Sequence, residues 1–278
     1  MNAGDLIWIL LVLSLIMPTF QQRYLEYRRQ LMIARFERER GSRVILLVHR
    51  QETMRLLGIP LVRYIDVTDS EEILRAIQLT DPEVPIDLVL QTPGGVALAA
   101  LQIARAIGQR EAPVTVFVPH YAMSGGTLIA LAASEIVMSP HAVLGPIDPQ
   151  IGEYPAVSIL HAVAQKQPGD IDDETLVKAD VARKAIQQIR ESICNLVGPR
   201  LGEEKAAALA EHLSDGRWTH DFPIFADQVA SLGLKIATTM PQSVMDLMAL
   251  YPQPVRPTGG GVEYLPAQRR KALPAAGR

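Results

Sequence analysis

The chain has 278 residues, 48% hydrophobic and 21% charged, with 27 Lys and Arg against 30 Asp and Glu and a formal net charge of −3. That balance excludes the basic footprint of a nucleic-acid-binding protein, and the length allows one large core, so a single α/β domain with appendages is expected. A single cysteine, Cys194, excludes an internal disulfide, fits a reducing compartment and reads as a buried structural thiol.

The run Leu6 to Met17 carries no charge and continues through Pro18-Thr19-Phe20. It falls short of the ~20 residues that span a bilayer comfortably, yet it can cross with local thinning. The opening Met1-Asn2-Ala3-Gly4-Asp5 lacks the basic start of a cleaved signal peptide, so an uncleaved membrane anchor over residues 1–22 is expected. An apolar helix docked onto the domain or onto another subunit is the alternative. Residues 23–42 form a basic stretch with Arg23, Arg28, Arg29, Arg35, Arg38 and Arg40, followed by Arg43. Arginines on this flank place it, and the domain after it, on the cytoplasmic side of the inner membrane as a single-pass protein, with Tyr24 and Tyr27 at the interface.

The domain proper spans residues 43–250. Val44–Val48 and Val62–Val67 read as strands, and Thr68-x-x-Glu71 as a capping box opening a helix with Ile73, Leu74 and Ile77 inward. Strand 87–91, helix 96–108, strand 114–118, a helix after Ser124 and strand 135–138 follow. That alternation predicts a mostly parallel sheet covered by helices. A long helix runs from the acids Asp172-Asp173-Glu174 to about Val197, before Gly198-Pro199, with Lys178, Ala182, Ala185, Ile189, Ile193 and Leu196 on one stripe. Helices over Glu203–His212, within Pro223–Leu234 and over Pro241–Leu250 complete it. Residues 251–278, rich in Pro and Gly, read as a flexible tail.

Two stretches share one pattern. Gln91-Thr92-Pro93-Gly94-Gly95 and Ala122-Met123-Ser124-Gly125-Gly126 each carry a strand into a helix through paired glycines. Ligands in parallel sheets sit at the carboxyl ends of strands, where both elbows fall. A serine there is either an N-cap or a nucleophile beside helix N–H groups that can hold an oxyanion.

Together with Leu144-Gly145-Pro146-Ile147-Asp148-Pro149-Gln150, these motifs resemble the Clp-fold serine peptidases. That superfamily includes the Clp proteolytic subunit, signal peptide peptidase A and the membrane proteases paired with NfeD-type proteins. The branch most resembled is the serine dehydrogenase proteinases, over roughly residues 40–250. The resemblance implies a ClpP/crotonase-like fold, a peptide or protein substrate, a homo-oligomer, Ser124 as nucleophile, and the N–H groups of Gly95 and Gly125 as oxyanion hole.

The general base departs from the Clp pattern, since no histidine stands at Ile147-Asp148-Pro149, about where the Clp proteolytic subunit has one. Membrane-bound relatives use a lysine, and Lys178, on the apolar stripe, is expected to lose hydration and accept a proton near neutral pH. Lys184 and Lys166 are the alternatives. His120 lies near the cleft in sequence. His141, His161 and His220 lack metal-ligand spacing, and no metal or other cofactor is expected. An inactive membrane scaffold and a crotonase-like acyl-CoA enzyme are the competing functions.

Overall fold

The computed structural model describes the backbone of residues 3–49, 55–56, 59–60 and 63–251, and the side chains of residues 17, 20, 22–49 and 63–251. In chain order the elements are α1 (Ala3–Arg40), β1 (Arg43–Val48), the hairpin β2 (Arg55–Leu56) and β3 (Ile59–Pro60), α2 (Val67–Gln78), β4 (Ile86–Gln91) and α3 (Ala97–Gly108). After them come β5 (Val114–Val118), β6 (Tyr121–Ala122), α4 (Gly125–Ala132), β7 (Glu135–Met138), β8 (Val143–Leu144), β9 (Gln150–Ile151), β10 (Tyr154–Pro155) and α5 (Ala156–Ala164). A short 3-10 turn then leads to α6 (Asp173–Leu201), α7 (Glu203–Ser214), β11 (Ile224–Phe225), α8 (Ala226–Ser231), β12 (Ile236–Ala237) and α9 (Gln242–Ala249).

The main sheet has the order β1-β4-β5-β7-β12, with every pairing parallel. Every residue of β4 and β5 is buried, as a strand covered on both faces requires. One face packs Ile45, Leu88, Leu90, Val116 and Ile136 against α2, α3, α4, α6 and α7, while the other packs Val44, Val89, Phe117 and Val137 against Phe36 of α1 and Val244 and Met248 of α9. A three-stranded sheet, β11-β8-β6, stands beside the carboxyl ends of the main strands. The α/β architecture with a mostly parallel sheet is therefore as the sequence predicts.

Several local expectations change. The strand expected over Val62–Val67 reduces, within the described residues, to one bridge between Ile65 and Gly95, and α2 already begins at Val67. Its capping box is Asp66 with Asp69, each carboxylate accepting the other residue's backbone N–H at 3.0 Å, two positions before the expected Thr68 and Glu71. Helix α6 runs through Gly198-Pro199 to Leu201, where the Arg200 guanidinium donates to the carbonyls of Leu131 and Ala133 and holds the last turn down. Its buried stripe is Ala179, Ala182, Ile186, Ile189, Ile193 and Val197, rotated from the expected one so that Lys178 is excluded.

Helix α1 does not break at the expected domain boundary. Its last turns belong to the core: Phe36 is buried edge-on against Phe117, and Arg40 pairs with the buried carboxylate of Asp87, which also accepts the Ser42 hydroxyl at 2.8 Å. Among the described residues no helix is long and apolar enough to cross a membrane. The side chains of residues 1–16, on which the anchor expectation rests, lie outside the described residues, as does the expected tail over 252–278.

Candidate active site

The first elbow is set by what backbone geometry permits. Beyond β4, Thr92 pairs in parallel with Ala122, donating its N–H to the Tyr121 carbonyl (3.2 Å) and accepting the Met123 N–H (3.0 Å). A Cβ at Gly95 would lie 2.2 Å from the Ile65 carbonyl oxygen, so no side chain fits there. The bridge to Ile65 uses the Gly94 carbonyl and the Val96 N–H, both at 2.8 Å. In a parallel ladder the residue between those two groups turns its own N–H the other way. The Gly95 N–H therefore points off the ladder, and no acceptor for it is found among the described residues.

The second elbow carries Ser124 at φ +50°, ψ −115°, the one positive-φ non-glycine among the described residues. Such a conformation costs a side-chain-bearing residue on the order of 1–3 kcal/mol and persists only where its surroundings dictate it. Here the Gly126 N–H bonds the Met123 carbonyl at 2.7 Å, the Leu128 N–H bonds that of Ser124 at 3.1 Å, and the buried Thr127 hydroxyl accepts the Gly145 N–H at 3.0 Å. Ser124 takes the N-cap position of α4, but its hydroxyl makes no capping bond. Gly125 opens α4, where the first N–H groups have no carbonyl within the helix to bond.

The elbows touch. A Cβ on Gly94 would stand 2.8 Å from the Ser124 Cβ, and one on Gly125 would stand 2.9 Å from the Ala100 Cβ and 3.7 Å from the Gly95 nitrogen. Ser124, Gly95 and Gly125 all line one cleft of about 560 Å³, walled by Ala100, Leu128, Ile147 and Ile189. Among the described residues the wall contains no Lys or Arg, and Asp148 is its one carboxylate.

The same cleft holds a histidine for which no catalytic role is expected from the sequence. His220 lines it beside Asp148, with Nδ1 2.7 Å from Asp148 Oδ1. Asp148 is almost fully buried, and its other oxygen accepts Gln150 Nε2 at 2.6 Å. A carboxylate accepts, so Nδ1 carries a proton, and in a neutral imidazole Nε2 is then the lone-pair nitrogen. The pair is assembled by distant segments. Ile147 donates its N–H to the Leu213 carbonyl at 2.7 Å, tying the Asp148 turn to the end of α7. Trp218, stacked on Phe222 and edge-on to His212, fixes the turn that carries His220.

Lys178 is not brought to this cleft. It is about half exposed, bonded to Glu174 at 2.6 Å, and that bond raises its pKa above the ordinary lysine value, the opposite of what a neutral-amine base needs. Lys184 is exposed and bonded to Asp180, Lys166 is exposed, and neither lines the cleft. His120 is exposed and also lies outside the cleft wall. The signal for His220 was faint: a Trp-Thr-His-Asp turn 96 residues beyond the serine, with no spacing that links it to Asp148. No cluster of three or more His, Cys, Asp or Glu residues able to hold a metal ion occurs among the described residues.

The chain matches the family model of ClpP-like SDH-type serine proteinases over residues 1–275. It is similar to two uncharacterized proteins of Methanocaldococcus jannaschii. One is 51% identical over 264 residues, covering 95% of this chain and 92% of the relative; the other is 47% identical over 274 residues, covering 98% and 92%. A solved membrane-bound stomatin-specific protease aligns over 66% of this chain and 79% of its own, with 21% identity and a TM-score of 0.45.

Proposed function

Since the chain belongs to the ClpP-like SDH-type serine proteinases, we propose that it is a membrane-anchored serine endopeptidase in which Ser124, His220 and Asp148 form the catalytic triad. The Ser124 Oγ attacks the scissile carbonyl carbon and gives its proton to His220 Nε2. The carbonyl oxygen becomes an oxyanion held by the N–H groups of Gly95 and Gly125. Collapse transfers the proton from Nε2 to the departing amine, and water repeats the cycle on the acyl-enzyme. Asp148 keeps the ring oriented. The observation that carries this reading is one cleft lined by an uncapped serine hydroxyl, two glycine elbows and a carboxylate-bound imidazole.

The described wall, largely apolar and without a Lys or Arg, favours substrates with uncharged, apolar residues at the cleft. Residues 6–17 are apolar enough to anchor the chain, and the exposed Phe20, Tyr24 and Tyr27 suit the bilayer boundary, with the domain on the cytoplasmic side and subunits assembled as homo-oligomers. The test is fluorophosphonate labelling of the full-length protein. Ser124→Ala abolishes labelling, His220→Ala lowers its rate on the order of 10²–10⁴-fold, and Lys178→Ala leaves it within about twofold. A rate carried by Lys178 and indifferent to His220 would return the base to the lysine. A wild type that binds peptides yet never labels would make the protein a scaffold.

A further inference from the structure

Behind the first elbow, out of reach of any substrate, lies a second acid–imidazole–hydroxyl chain. His49 is 3% exposed and Thr92 fully buried. His49 Nε2 is 3.2 Å from Asp69 Oδ2, and Nδ1 is 3.0 Å from Thr92 Oγ1. That oxygen in turn accepts the Gly94 N–H at 3.2 Å and stands 3.3 Å from the Gly94 carbonyl. The Asp69 carboxylate can only accept, so Nε2–H donates to it and Nδ1 of the neutral ring accepts the Thr92 hydroxyl proton. The hydroxyl oxygen is then free to receive the Gly94 N–H, and one direction runs through the whole chain. Burial pushes the His49 imidazole below its ordinary pKa despite the nearby Asp69, which keeps the ring in that neutral form. Asp69 of α2, Asp66 at its N-cap and Arg63 are the charged groups that act on it among the described residues.

Thr92 joins the two elbows physically. Its hydroxyl holds the Gly94 peptide, and its methyl fills the space beside Gly126, where a Cβ would come within 2.6 Å of Thr92 Cγ2. We propose that His49, acting through the Thr92 hydroxyl, is a positioning residue that fixes the Gly94–Gly95 peptide and thereby aims the Gly95 N–H at the oxyanion. The inference rests on the proposed role of Ser124 and Gly95. Were His49 protonated, Nδ1–H would point at Thr92, the hydroxyl proton would turn to the Gly94 carbonyl, and the hold on the loop would change sense.

Two pairs of substitutions in the full chain separate hydrogen bonding from packing. Thr92→Val keeps the methyl and loses the hydroxyl, whereas Thr92→Ser does the reverse. His49→Asn sets an amide near Nδ1, whereas His49→Gln sets one near Nε2, away from Thr92. Fluorophosphonate inactivation should slow on the order of tenfold for Thr92→Val and His49→Gln, in kinact with KI unchanged, while Thr92→Ser and His49→Asn retain most of the rate. The double variant Thr92→Val/His49→Gln should be no slower than Thr92→Val. Equal losses in Thr92→Ser and Thr92→Val, a rise in KI alone, or additive losses in the double variant would overturn the inference while leaving the triad standing. A wild type that fails to label removes the triad and the inference together.

Discussion

At the scale of single residues, the site is a sum of small constraints that each admit few alternatives. Ser124 holds a backbone conformation that almost no non-glycine residue adopts, and Gly95 sits where any side chain would strike the Ile65 carbonyl. Asp148 is assigned the imidazole tautomer, so Asp148→Asn should lower the labelling rate on the order of 10²–10⁴-fold with the melting temperature little changed. Rate loss in step with unfolding would demote Asp148 to a structural turn. His49 also makes stability pH-dependent. Its folded pKa lies below the unfolded value of about 6.5, so within that interval the unfolded chain binds a proton that the folded chain refuses. Stability contributed by the neutral ring is present above that interval and declines as pH falls through it. Urea midpoints from pH 8 to 5 should drop more for wild type than for His49→Asn; parallel curves would show that His49 titrates alike in both states. The sequence displayed Ser124, Gly95 and Gly125 because they sit inside compact motifs. It hid His220 because its partner, Asp148, is 72 residues away along the chain.

At the scale of elements, each group of the candidate site stands at the end of a segment whose direction is set by packing. β4 and β5 deliver the two elbows side by side because they are adjacent in register, Leu88 beside Val116 and Val89 beside Phe117. α6 walls the cleft through Ala185 and Ile189. The rotation of its buried stripe is what removes Lys178 from the site, and periodicity alone could not fix that phase, since alanines fit either side. α1 was legible as a helix, but the docking of its last turns onto the core through Ile33, Phe36 and Arg40 was not. Phe36 lies at the centre of the second core, so Phe36→Ala should cost about 3–5 kcal/mol in chemical denaturation. A cost under about 1 kcal/mol would mean that α1 is only loosely docked.

For the whole molecule, the C-terminal end of α1 is core, and its exposed Met17, Phe20, Tyr24 and Tyr27 lead toward the apolar residues 6–17, which the proposed function places in the membrane. Removing residues 1–22 should move the protein from the membrane fraction to the soluble one with labelling within about twofold of wild type, because Ile33, Phe36 and Arg40 still dock. Retention in the membrane pellet would refute the anchor. What the sequence determined by itself is whatever lies within a dozen residues: strand and helix alternation, both glycine elbows, the serine between them, and membership in a peptidase family. Only the tertiary structure decided that a carboxylate-bound imidazole lines the same cleft as that serine, because His220 and Asp148 come together through the packing of α7 and the Trp218 turn, and no local pattern encodes a contact made across the fold.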